Sequence, residues 1–110
     1  LKIIDLAEKL PVTYVVKVIA NQIVRSGTSV GANYRVVCRA RSDKEFVAKM
    51  NIVLEEADET LFWLEIIKEK NWSDKSELEI ILKEENELTA IFVSSLKTVN
   101  NRINNIKPKV

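Results

Sequence analysis

A chain of 110 residues with a formal net charge of +1 has room for one small domain and no second core. With 46% hydrophobic and 30% charged residues but only two glycines and two prolines, it suits a folded helical protein rather than a loop-rich sandwich or a disordered tail. Histidine is absent and Cys38 is the only cysteine, which removes the usual general base, the commonest metal ligand and any internal disulfide.

The chain opens on Leu1 in what reads as the middle of a helix, so the native chain is expected to begin earlier and the first helix to be truncated. Ile3, Ile4, Leu6, Ala7 and Leu10 carry its helical period, and Leu10-Pro11 closes it, because proline lacks an amide hydrogen and disfavours helix at its predecessor. The second run places Val12, Val15/Val16, Ile19, Ile23, Val30, Tyr34 and Val37 at helical steps. Its β-branched start competes locally for a strand, but a periodic stretch this long far exceeds a strand of ~6 residues.

Ser42-Asp43-Lys44-Glu45 predicts a capping box. The Ser42 hydroxyl accepts from the Glu45 amide, and the Glu45 carboxylate reaches back to the Ser42 amide. The third helix then runs through Phe46, Met50, Val53, Ala57, Leu61 and Leu64 to about Lys70. Asn71-Trp72-Ser73-Asp74 breaks it, with Ser73 or Asp74 as the next N-cap. The fourth helix follows through Leu78, Ile81/Leu82, Leu88, Phe92, Leu96, Val99 and Ile103, until Pro108 stops it. Arg102, Lys107 and Lys109 suit the negative end of its dipole. Four helices, short connections and one apolar stripe on each predict an all-α, antiparallel up-down-up-down bundle over residues 1–110.

Lys17 and Lys68 interrupt the two best candidate spans, leaving no apolar run of the ~18 residues a membrane helix needs. These residues show no export-signal pattern, which leaves a removed signal open, and with a single unpaired thiol a cytoplasmic location is expected. Charge is segregated along the chain. Residues 1–50 carry nine Lys/Arg against four Asp/Glu, residues 51–87 four against twelve, and residues 88–110 four against none. Oppositely charged faces are the expected result.

On the second helix, Lys17, Arg25, Arg35 and Arg39 fall opposite the apolar stripe, and Arg41 and Lys44 extend the positive charge into the turn. Such a ridge could track a phosphate backbone; equally, it could be a solvated face or one paired with acids on a neighbour. Glu45, Glu55, Glu56 and Glu59 form the converse acidic row on the third helix. Without histidine, the Glu55/Glu59 pair reads as a solvated or salt-bridged surface rather than half of a carboxylate metal site, and no metal or cofactor is expected. Phe62, Trp63 and Ile66 also lie off the core stripe. Either another subunit covers them or the first helix does; in the first case the Glu55/Glu59 face of one subunit could meet the basic ridge of the next. Gly27 and Gly31 are spaced for a close helix–helix approach, Cys38 reads as a small half-buried hydrophobe, and Trp72 as a plug at the end of the bundle. Nothing here assembles a catalytic centre.

The run from Asn21 to Arg35, with its Gln-x-x-Arg-Ser-x-x-Ser-x-x-x-Asn pattern, is followed by the Arg41-Ser42-x-x-Glu45-Phe46 turn and by Glu55-Glu56-Ala57-Asp58-Glu59-Thr60-Leu61. Together they resemble the bacterial four-helix bundle family first noticed as reading frames within intervening sequences of 23S ribosomal RNA genes, over about residues 1–100. The resemblance implies an antiparallel bundle assembling as a ring, commonly a pentamer, with no accepted catalytic residues. A relative, the accessory variability determinant of diversity-generating retroelements, is a pentameric basic barrel that binds nucleic acid and a reverse transcriptase. By that resemblance the expected partners are a homo-oligomer and an RNA or nucleoprotein, the latter held by Lys17, Arg25, Arg35, Arg39 and Arg41. The alternative expectation is a protein–protein scaffold whose basic and acidic faces pair between subunits.

Overall fold

The computed structural model describes residues 2–106. Four α-helices follow one another: α1 Lys2–Glu8, α2 Tyr14–Val37, α3 Asp43–Glu69 and α4 Lys75–Ile106. Each neighbour runs antiparallel to the last, giving an up-down bundle 59 Å long and about 20 Å wide.

The ends are set by local chemistry. Thr13 caps α2, its hydroxyl accepting from the Val16 amide at 3.2 Å. Half of the predicted box before α3 forms: Ser42 Oγ accepts from the Glu45 amide at 3.1 Å. The Glu45 carboxylate reaches one residue further back than expected, to the Arg41 amide at 3.3 Å. Asp74, rather than Ser73, caps α4 by accepting from the Glu77 amide at 2.9 Å. Between α3 and α4, Asn71 adopts φ 54°, the left-handed position in which asparagine is tolerated. The Trp72 amide donates to Ile67 O and the Asn71 amide to Lys68 O. This paired helix-end closure folds Trp72 back onto the core. Pro108, Lys107 and Lys109 lie outside the described residues.

α3 is the spine, packing against both α2 and α4. α2 and α4 lie diagonally, and α1 fills the space between them along part of the length. Two ion pairs hold α1 to α4: Lys2–Glu84, and Lys9–Glu77 at 3.2 Å. Gly27 allows the close approach expected of it, since a Cβ there would stand 3.1 Å from Ile3 Cδ1, whereas nothing stands over Gly31.

The core has two parts. Around Ile23, Leu64 and Ile67, all four helices contribute buried residues, with Trp63 and Trp72 packed alongside. Towards the other end, Val30, Val37, Met50, Val53, Ala57 and Phe92 form a second cluster from α2, α3 and α4 alone. At the junction, the fully buried Ser26 and Thr60 hydroxyls meet at 2.9 Å, a polar contact that fixes the register of α2 against α3.

Several stripe assignments shift. Val12 and Val15 are exposed, because Tyr14 begins the helix and its inward face starts at Val16. Tyr34 is 40% exposed, its ring tilted against Phe92 with centroids 5.3 Å apart. Leu88 is exposed beside the groove at the start of α1. Cys38 is exposed rather than half-buried, since it caps α2 after the last inward residue, Val37.

Candidate nucleic-acid interface

The expected basic ridge is not continuous. Arg25, at its middle, reaches α3 with its side chain still 47% exposed: Nη1 donates to Glu56 Oε2 at 3.2 Å, Nη2 pairs with Glu59, and Nε donates to Gln22 Oε1 at 3.2 Å. One guanidinium holding two carboxylates is spoken for, so Arg25 is removed from the set of free cations and Glu59 from the set of free acids. Lys17 is exposed but lies near the start of α2, far from the other basic residues.

What remains is a cluster at one end of the bundle. Arg35 and Arg39 close α2, and Arg41 stands in the turn. Lys44 and Lys49 occupy the first turns of α3. The antiparallel return of α4 brings Lys97 to the same end, a placement fixed by Arg102, whose guanidinium grips Asp43 at 2.7 and 2.9 Å. That grip holds the Asp43 carboxyl below its ordinary value and raises the Arg102 guanidinium. Among the described residues, Arg35, Arg39, Arg41, Lys44, Lys49 and Lys97 have no carboxylate within ion-pair distance. All but the partly covered Lys49 are exposed.

The charge therefore separates by ends rather than by faces, correcting the sequence expectation. Residues 33–50 and 95–106 hold seven basic side chains against Asp43 and Glu45, a net +5; the rest of the described chain holds eight against fourteen, a net −6. Helix periodicity shows which side of a helix a residue occupies. It does not show which residues of antiparallel neighbours share a level, and that is what gathers this cluster. Lys49 and Lys97 were missed for that reason; the acid-free stretch from residue 88 onward was the available signal.

The outward face of α3 also differs in part from expectation. Phe62 is 52% exposed and Ile66 half-buried, with Glu55 in solvent nearby along the helix. Trp63 instead packs into the four-helix core, its ring edge-on to Phe62 at 4.9 Å between centroids and its Nε1 buried without a partner. α1 does not cover this face, for it packs against α2 and α4. Val15 and Val18 are exposed on the side of α2 that carries Arg25, and so extend the apolar surface.

Among the described residues, no group of three or more His, Cys, Asp or Glu side chains is placed to hold a metal ion. Among the same residues, no helix is long and apolar enough to cross a membrane. Tyr34, beside Cys38, has its phenol raised above the ordinary value by electrostatic interaction with that neighbour, with burial and a hydrogen bond to Cys38 adding to it.

The fold and surface define an all-α, up-down helical bundle with a polarised charge distribution. Residues 1–94 match the family model described as "23S rRNA-intervening sequence protein", and the chain belongs to that family. It is similar to a crystal structure of a protein of unknown function from the S23 ribosomal protein family of Bacteroides thetaiotaomicron. The two are 39% identical with a TM-score of 0.69, over 73% of this chain and 74% of that one. No curated protein matches.

Proposed function

We propose that this protein is a non-enzymatic, homo-oligomeric bundle that binds RNA, alone or within a ribonucleoprotein, through the basic end formed by Arg35, Arg39, Arg41, Lys44, Lys49 and Lys97. The observation that carries this reading is the gathering of six cations without ion-pair partners at one end of a chain that is otherwise acidic. Unpaired Lys and Arg on a rigid scaffold favour phosphate, and each contact releases counterions from a nucleic acid. The family's description, tied to 23S rRNA genes, points the same way. Oligomerisation, with a pentameric ring as the expected form, is supported by the apolar surface of Phe62, Ile66, Val15 and Val18, which none of the described helices covers.

The scaffold alternative is the second reading. It needs the basic residues of one subunit to pair with the Glu55/Glu59 face of another; Glu59 is already engaged by Arg25 of its own chain, whereas Glu55 stands in solvent.

The test is a salt titration of binding to structured ribosomal RNA fragments, with sedimentation on the same samples. The proposal expects an oligomer that persists while affinity falls steeply with salt. No binding at low salt would remove the RNA reading, and a monomer at micromolar concentration would remove the oligomer.

A further inference from the structure

We infer that the ligand of the basic end is double-helical RNA, held through its backbone and not through its bases; this rests on the RNA reading above. The grounds lie in where the aromatic side chains are. Proteins that hold single strands combine cations with exposed rings on which bases stack. Here the two groups largely occupy different parts of the molecule. The most exposed rings, Tyr14 and Phe62, stand at the start of α2 and in the second half of α3, away from the basic end. Trp63 and Trp72 pack against the four-helix core. At the basic end Phe46 is packed on the second core cluster, and Tyr34, 40% exposed beside Arg35, leans on Phe92. A single ring is not a row on which successive bases stack, so positive charge is present without an extended stacking platform.

The polar groups at this end fit a duplex. Arg35 and Arg39 stand one turn apart on a rigid helix, ~6 Å from each other, a fixed spacing suited to a regular row of phosphates. Asn33 is half-buried and donates one side-chain N–H to Ser29 O at 2.9 Å, which ties it to its own helix. Asn101, Asn104 and Asn105 are exposed on the last turns of α4. They add neutral donors and acceptors of the kind that meet 2′-hydroxyls across the wide, shallow minor groove of an A-form helix.

The experiment uses the intact chain with three probes: a 20-base-pair RNA duplex, a second duplex of unrelated sequence, and one strand chosen to lack self-structure. Polyglutamate serves as a competitor. The duplexes should bind alike within about twofold, and at least about fivefold more tightly than the single strand. Their log–log salt slope should be roughly −4 to −5. Arg35→Glu with Arg39→Glu should cost tenfold or more and flatten that slope by about two. Lys44→Glu with Lys97→Glu, on different helices, should reproduce the loss if the first pair perturbs folding. Tighter binding of the single strand would overturn the duplex assignment while leaving RNA binding in place. Binding of no RNA at all would overturn both readings. Competition by polyglutamate as effective as by the duplex would overturn the assignment in favour of an acidic protein partner.

Discussion

Around Leu64, all four helices close on one another, two tryptophans pack alongside the core, and ion pairs tie α1 to α4. Around Val37, only three helices meet over a smaller buried cluster, and the surface carries unpaired cations. The first region has the larger buried cluster and ties part of its charge into ion pairs, within a stretch that is acidic overall. The second leaves like charges close together, which opposes folding unless something negative arrives. Stability and binding capacity are thus concentrated in different parts of one short chain.

The contrast can be broken most directly in the core. Leu64→Ala should destabilise by about 3–4 kcal/mol, because the cavity lies where four helices restrain collapse, and Val37→Ala by about 1–2 kcal/mol. Equal losses in urea unfolding would erase the distinction. At the junction, Thr60→Val should cost about 1–2 kcal/mol by leaving the buried Ser26 hydroxyl without its best partner. Adding Ser26→Ala should cost less than the sum of the two single changes, and strict additivity would show that the hydroxyls do not act as a pair.

The two glycines sharpen the same boundary. Gly31→Ala should raise stability by about 0.5–1 kcal/mol, since its surroundings are open and alanine is the better helix former. Gly27→Ala should gain little or lose, because Ile3 must yield to the new methyl group. Matching thermal shifts for the two variants would mean that α1 does not seat on α2 as described.

Glu85 gives the smallest effect. It is partly buried on α4 beside Glu84, and its carboxyl is raised above the ordinary value first by burial and then by that neighbour. A raised carboxyl means that the folded chain holds this proton more firmly than the unfolded one. Its contribution is favourable below the ordinary value of 4.5 and is lost as pH rises through the raised one. Glu85→Gln should therefore be more stable than the parent at pH 7, by less than the changes above, since the carboxyl is only partly buried. The gain should fade as the pH is lowered; a gain independent of pH would show that burial is not the cause.

The helices were legible from residues 1–100 because their signals are local. Leu10-Pro11, the Ser42 cap, the Asn71–Asp74 break and the three-four spacing of apolar residues each act within a few positions. The site was only half legible. Arg35, Arg39 and Arg41 stood out, but Arg25 sits on the same helical side and is neutralised by residues 31 and 34 positions away. Lys97 joins the cluster only because Arg102 meets Asp43 across 59 residues. Cys38 shows the same limit at small scale: the apolar period carries on to Val37, and the helix ends one residue before the period would decide the thiol's burial.

The most direct test of the central claim, that binding resides at one end of the bundle, is a comparison of two charge reversals on one RNA. Arg35→Glu with Arg39→Glu removes charge from the basic end, and Lys17→Glu removes it from the same helix at the other. The account predicts a loss of about tenfold or more for the first and less than about twofold for the second, with both variants as helical as the parent. A loss for Lys17→Glu about half that of the double variant on a logarithmic scale, in proportion to the two and four units of charge changed, would show that binding follows total charge and not the end that carries it.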